Sequence, residues 1–259
     1  MSAYGALAGV YDRLTGDVCY ERRADYIEKL FQKSRVKVHT VLDLACGTGT
    51  MTSILTERGY EMIAVDSSAD MLAEAMEKAA VLTGEPPVFL NQSMPQLDLY
   101  GTVDAAICCL DSINYLTNPK DVQKTLQRLH LFVAPGGILI FDINSVDKLR
   151  ALDGQVFLDE TEDVYCVWRT AFEKRSAICT YWMDIFTSRE DGTWERDFEV
   201  HRQRGYEVEQ LRQWLTEAGF TNIRTYGDCR MRAPREQEQR IYFTAIRGKS
   251  TTHHSNLTK

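Results

Sequence analysis

Residues 40–51 read Thr-Val-Leu-Asp-Leu-Ala-Cys-Gly-Thr-Gly-Thr-Met. Val41 to Ala45 is a short apolar run, which predicts a buried strand. Gly47 and Gly49 follow at once, and Thr52 to Arg58 reads as a helix closed by Gly59. A strand that passes through a glycine turn into a helix is the opening unit of an α/β fold.

The same alternation continues outward. Glu61 to Val65 is a second strand closed by Asp66, and Ser67 or Ser68 can cap a helix carrying Met71, Leu72, Ala75 and Met76. Val88 to Asn91 is a third strand. Val103 to Leu110 is a fourth, nearly all apolar and therefore central and buried on both faces. Asp121 to Leu131 is helical, Pro135-Gly-Gly137 is a turn, and Ile138 to Ile143 is a fifth strand. On the N-terminal side, Ala24, Ile27, Leu30 and Phe31 recur at helical spacing within Tyr20 to Ser34. Met1 to Asp17 reads as a short helix or an ordered arm. Strands alternating with helices in this way build a doubly wound parallel sheet, Rossmann-like in class.

Between Leu152 and Gly205 the helix signal stops. Val164 to Thr170, Ile178 to Thr187 and Thr193 to Gln203 are rich in aromatic and β-branched residues, with a turn at Asp191-Gly192. They predict an antiparallel β insertion. Glu207 to Ala218 is then a helix ended by Gly219, and Asn222 to Tyr226 and Ile241 to Ile246 complete the main sheet. The chain thus divides into a core (1–151 and 206–247), an insertion (152–205) and a polar, flexible tail (248–259).

Composition bounds the function. The 259 residues suffice for one large domain with an insertion, and the formal charge of −7 argues against a general nucleic-acid or membrane-surface role. The arginine-rich stretch Arg196 to Lys249 is a local exception that reads first as a solvated surface. No apolar run reaches membrane-spanning length, and Met1 to Leu14 lacks the basic flank and apolar core of a signal peptide. The seven cysteines are odd in number and scattered, with no Cys-x-x-Cys pair, which predicts a reduced, cytoplasmic protein without structural zinc. His39, His130 and His201 show no metal-ligand spacing, and no phosphate-binding Gly-x-x-x-x-Gly-Lys-Ser/Thr loop is present.

The chemistry begins at the glycine turn. Gly47 and Gly49 let a ligand approach the backbone without Cβ atoms in the way. Asp66, at the end of the second strand, can accept hydrogen bonds from two ribose hydroxyls. Two details separate the site from a dinucleotide site. Thr52 stands where the third glycine of that fingerprint would be. Asp43 lies beside the loop, where a carboxylate opposes a pyrophosphate but suits a ligand carrying an ammonium and a sulfonium.

On these residues the chain resembles class I S-adenosylmethionine (SAM) methyltransferases. Val41 to Met51 is similar to their first motif and Ala64-Val-Asp-Ser-Ser68 to the second. Asp104 to Tyr115 and Leu131 to Asp142 resemble the fourth and fifth strand regions. Tyr11-Asp12 and Phe198-Glu-Val-His-Arg-Gln-Arg-Gly-Tyr206 resemble a bacterial small-molecule group that includes sugar-amine and glycine N-methyltransferases. The resemblance implies a seven-stranded sheet with its last strand antiparallel, SAM as cofactor and S-adenosylhomocysteine (SAH) as product. Carried over position by position, it puts Tyr11 near the methionine end. Asp43, Ala45, Gly47 and Gly49 surround the methionine and ribose. Asp66 binds the ribose hydroxyls with Ser67 beside it, Met71 packs on adenine, and Leu110 forms the floor beneath the methionine moiety. Many relatives carry Asp after the third strand; here Ser93 holds that place, followed by Met94, and serine accepts the adenine hydrogen bond without a charge.

Methyl transfer from a sulfonium needs alignment more than covalent help. The candidate base is His201. On its strand it shares a face with Glu195, Glu199 and Gln203, opposite Trp194, Phe198 and Val200. Asp111, Asn114 and Tyr115 are second candidates, because they follow the fourth strand, where ligands gather in open α/β sheets. The leading reading is transfer to a nitrogen or oxygen of a small molecule. The alternatives are an RNA or protein methyltransferase and a SAM-binding regulatory protein without turnover. The insertion is expected either to cover the acceptor site, walled by Trp168, Tyr181, Trp182 and Phe186, or to form a homodimer interface.

Overall fold

β4 (Val103–Cys108) explains the layering. It lies between β1 (Thr40–Leu44) and β5 (Val133–Asn144), both parallel to it. Its side chains alternate between two apolar clusters. Ala105 and Ile107 pack with Ala24, Ile27 and Leu30 of α2 (Tyr20–Ser34). Ala106 and Cys108 pack with Val122, Leu126 and Leu129 of α5 (Pro119–Phe132). Each fully buried Val, Leu or Ile side chain contributes roughly 1.5–3 kcal/mol, so the two helix stripes hold the sheet from both sides. The computed structural model describes residue 5 and residues 7–248. Apart from Gly248, the tail read at 248–259 lies outside the described residues.

The main sheet has seven strands. Ahead of α2 lies a single turn of helix, α1 (Tyr11–Leu14). β1 leads into α3 (Thr50–Glu57), β2 (Glu61–Asp66), α4 (Ala69–Ala79) and β3 (Val88–Asn91). β5 is followed by α6 (Val146–Ala151), and the chain closes with α7 (Val208–Glu217), β10 (Phe220–Gly227) and β11 (Arg240–Arg247). The strand order is β10-β11-β5-β4-β1-β2-β3, with β11 antiparallel to both neighbours. The expected α/β class and the antiparallel last strand are both present. Caps set the helix starts: Ser68 Oγ accepts from Met71 N at 3.2 Å, Asn118 from Lys120 N at 3.1 Å, and Ser145 from Lys148 N at 3.1 Å.

Two sequence boundaries are corrected. The fourth strand stops at Cys108 rather than Leu110, because Leu110 and Asp111 turn left-handed, at φ 56° and 54°. Pro135-Gly-Gly137 is not a free turn but part of β5, which pairs with β4 through an irregularity between Val103 and Ala105. A Cβ at Gly137 would sit 2.6 Å from Asp104 O, so only glycine lets the strands approach there.

A separate antiparallel sheet runs β6 (Val156–Glu160), β7 (Val164–Glu173), β8 (Ile178–Ser188) and β9 (Trp194–Arg204). β6 has no counterpart in the sequence reading: it is a mostly exposed edge strand without clear alternation. Val164, Cys166, Met183 and Ile185 form the inner face and pack on Leu7 and Val10 of the N-terminal arm. Register puts Trp182 opposite Val200 and Phe186 opposite Arg196 on the outer face, where Trp194, Phe198 and Val200 are exposed. The four aromatic residues expected to wall one pocket therefore divide. Trp168 and Tyr181 face the arm, and Trp182 and Phe186 face outward.

Candidate active site

The C-terminal ends of β1, β2 and β4 and the loops after them enclose a cavity of about 550 Å³. Its base is the turn after β1. Ala45, Gly47 and Gly49 all have positive φ, at 61°, 55° and 71°. Cys46 N donates to Val65 O, and Gly49 N donates to Cys46 O, both at 3.0 Å, which closes the turn onto β2. A Cβ built on Gly47 meets nothing within 4 Å, so this face of the loop is open to a ligand.

Two carboxylates flank the turn. Asp66 is held by backbone donors: Gly47 N reaches Oδ2 at 2.9 Å and Ser68 N reaches Oδ1 at 2.8 Å. Burial raises the Asp66 pKa, and these N–H groups oppose the rise. Each oxygen keeps a lone pair for a ligand hydroxyl. Asp43 is almost fully buried, and Thr52 Oγ1 donates to its Oδ2 at 2.6 Å. Burial pushes the Asp43 carboxyl up to about 6; the Thr52 hydrogen bond lowers it and the charge of Asp66 raises it. Thr52, read only as a missing glycine, is the residue that steadies this charge.

The far wall is built by the strained loop after β4. Residues in such positive-φ conformations cost of the order of 1–3 kcal/mol each. Asp142 of β5 compensates: its carboxylate accepts from Leu110 N at 2.8 Å and Asp111 N at 3.0 Å. Arg240 of β11 pairs with Asp142 and, at 2.6 Å, with Asp111. The described residues lining the cavity include three carboxylates, Asp43, Asp66 and Asp111, and one cation, Arg240. With Arg240 engaged by Asp111 and Asp142, the cavity favours a cationic ligand.

The arm closes the cavity from above. Thr48 Oγ1 donates to Asp12 at 2.7 Å, and Lys78 Nζ of α4 donates to the other Asp12 oxygen at 2.6 Å. Asp12 therefore ties the arm to both the glycine loop and α4. Tyr11 and Tyr20 reach the cavity, and burial raises both phenols, Tyr20 to about 12. Neither supplies a phenolate at neutral pH.

Tyr11, Asp43, Ala45, Gly47, Asp66, Ser67, Met71, Ser93, Met94, Leu110 and Tyr115 all line this one cavity. Ser93 Oγ donates to Gln96 at 3.0 Å, which leaves its lone pairs to accept. Gly49 and His201 stand apart. Gly49 is the position before α3, and a Cβ there would lie 2.8 Å from Ala75 Cβ of α4; its glycine serves helix packing. His201 is buried behind Tyr115. Its Nδ1 is 3.4 Å from Tyr115 Oη and its Nε2 is 2.7 Å from Glu199 Oε2. Leu7 N donates to the other Glu199 oxygen at 3.0 Å. On this face of β9 Glu199, His201 and Gln203 are buried, while Glu195 and Asp197 are exposed. Asn114 is structural: its amide donates to Asn144 O and Arg204 O, and it accepts from Asn144 N. Sequence spacing missed the roles of Thr52, Asp12, Asp142 and Arg240, which depend on partners between 9 and 129 residues away.

The groups present fit SAM. Gly47 leaves an open cradle, Asp66 offers acceptors for hydroxyls, and buried Asp43 offers negative charge to an ammonium or sulfonium.

Residues 41–137 match the model of a methyltransferase domain. A chain from Geobacillus assigned as a methyltransferase is 32% identical over 246 residues, covering 93% of this chain and 98% of its own. A SAM-dependent methyltransferase structure from Clostridium acetobutylicum superposes with a TM-score of 0.85 at 29% identity, covering 95% of this chain and 99% of that one. A glycine/sarcosine N-methyltransferase from Halorhodospira halochloris is 28% identical, over 78% of this chain and 72% of its own.

Proposed function

The chain belongs to the SAM-dependent methyltransferases, and from that premise we propose that it methylates a nitrogen of a small molecule. The observation that carries this reading is the wall of the cavity at Tyr115, where a hydroxyl backed by His201 and Glu199 stands beside the cofactor site. Similarity to a glycine/sarcosine N-methyltransferase supports nitrogen over oxygen.

SAM supplies an activated methyl group on a sulfonium. The protein aligns the acceptor and takes up its proton. A carboxylate can only accept hydrogen bonds, so Glu199 fixes the proton of neutral His201 on Nε2 and leaves Nδ1 to accept from Tyr115. As the acceptor nitrogen gains its fourth bond, its proton passes to Tyr115 Oη. The Tyr115 proton passes to His201 Nδ1, and Glu199 balances the imidazolium. His201 thus acts through Tyr115 as a positioning residue. The 3.4 Å separation is long for a hydrogen bond, as is common before substrate tightens a site.

Charge placement also favours a small acceptor over RNA. Within the arginine-rich C-terminal part, Arg196, Arg212, Arg230 and Arg240 pair with carboxylates of this chain. These four are not free to bind a phosphate backbone. The test is SAH release from SAM with a panel of small amines. Turnover with an amine, reduced in Tyr115→Phe, supports the reading; turnover with RNA alone overturns it.

A further inference from the structure

The cofactor cavity continues past Arg240. A second cavity of about 930 Å³ shares Val18, Leu110 and Arg240 with it. It opens between Lys148 of α6 and the start of β11, next to Leu110 of the strained loop. This is the edge of the sheet where ligands collect in open α/β folds.

The second cavity has a different charge. Its described walls carry six cations, Arg22, Arg23, Lys148, Arg230, Arg235 and Arg240. Four carboxylates oppose them, Asp17, Asp228, Glu236 and Glu238. Three of the cations are engaged: Arg23 with Asp228 at 3.1 Å, Arg230 with Glu238, and Arg240 with Asp111 and Asp142. Among the described residues, none forms an ion pair with Arg22, Lys148 or Arg235. Lys148 is the informative one. Its half-buried ammonium donates to the neutral Asn144 Oδ1 at 2.8 Å. Burial, and then the positive charge of Arg240, hold its pKa below the ordinary lysine value. The carboxylates of Asp111, Asp142 and Asp228 each act on it more weakly than burial or Arg240, and none contacts it. A partly desolvated cation without a contacting carboxylate is costly, and an incoming anion relieves it.

We infer that this second cavity binds an anionic group, a phosphate or a carboxylate, carried by the methyl acceptor, with Lys148 as its main partner and Arg22 and Arg235 at its rim. The inference rests on the adjoining cavity being the SAM site. The acceptor is then an amine at one end and an anion at the other, bridging Tyr115 and Lys148. The volume gives room for far more than a two-carbon amino acid. SAM carries a carboxylate of its own, and the affinity for SAH separates that source from the acceptor.

The experiment is calorimetry on SAH-saturated protein titrated with inorganic phosphate, with chloride at matched ionic strength as the control. The expected result is saturable phosphate binding, weakened about tenfold or more in Lys148→Gln and in Arg235→Gln, with SAH affinity unchanged in both. Phosphate binding no stronger than chloride, or equal in the variants, overturns the inference. A fall in SAH affinity in Lys148→Gln without a fall in phosphate affinity assigns the cavity to the cofactor carboxylate and also overturns it. A protein that binds phosphate there but not SAH supports the anion site and strikes the cofactor reading instead. In an amine panel, each amine is paired with its phosphate- or carboxylate-bearing counterpart. The anionic member is expected to be consumed at least about tenfold faster; equal consumption overturns the assignment to the acceptor.

Discussion

Thr52 Oγ1 donates a hydrogen bond to Asp43 Oδ2 at 2.6 Å inside the core, joining the first turn of α3 to the end of β1. The bond stabilises a carboxylate that burial would otherwise neutralise. In the folded chain Asp43 titrates near 6, against 3.8 for the free residue. A folded pKa raised in this way means that the ionised form destabilises the apoprotein above pH 6. That cost is relieved as pH falls from 6 toward 4.

Asp43→Asn should therefore stabilise the apoprotein at pH 8, on the order of 1–3 kcal/mol, while SAM affinity falls. Thermal unfolding and calorimetry across pH 5–8 check both signs. Thr52→Val should move the loss of SAM affinity to higher pH, because it removes the bond that lowers the Asp43 pKa. Unchanged pH dependence in a folded Thr52→Val protein would count against this role.

Asp66→Ala removes the brace on Gly47 N and Ser68 N and, in the proposed cofactor placement, the charged acceptor for the ribose. SAM binding should weaken by roughly 1–3 kcal/mol. Calorimetry of a folded variant with wild-type affinity refutes the assignment.

The two loop glycines should respond differently. Gly49→Ala places a Cβ against Ala75 and should lower stability, and Ala75→Gly in the same chain should restore part of it. Gly47→Ala meets no neighbouring atom, so its effect on stability is confined to backbone strain of about 1 kcal/mol. Its larger effect should be on SAM affinity. Urea denaturation with and without SAH distinguishes the two patterns.

Local spacing made the strand-helix alternation legible, with the glycine turn, Asp43 and Asp66, because β1, its turn and Asp66 lie within 27 residues of one another. The antiparallel last strand and the other cavity residues came with the family resemblance. The edge strand β6 escaped because exposed residues on both its faces erase the period-two signal. Glu199, His201 and Gln203 were legible as one face of a strand, but not as a buried face. Their burial depends on distant partners: Leu7 N of the arm, almost two hundred residues earlier, bonds to Glu199, and Asn144, Tyr181 and Asp111 hold Gln203. A separation of 86 residues hid the arrangement in which His201 backs Tyr115 instead of entering the cavity.

Tyr115→Phe and His201→Ala should both lower turnover, by about 10²-fold or more, with SAM affinity nearly constant. The two effects should not add in the double variant, because both residues belong to one relay. His201→Ala should also alter the pH profile of kcat, which a purely structural loss would leave in shape. Additive losses with an unchanged profile contradict the relay.

The central claim is that the chain spends SAM on a small nitrogen acceptor. Its most direct test is to incubate the protein with methyl-deuterated SAM and a metabolite extract, then follow SAH and labelled products by mass spectrometry. The account predicts a labelled small molecule with an N-methyl group, formed in step with SAH and lost in Asp43→Asn and Tyr115→Phe. Label appearing only in RNA or protein, or no SAH above background while SAM is bound, contradicts it.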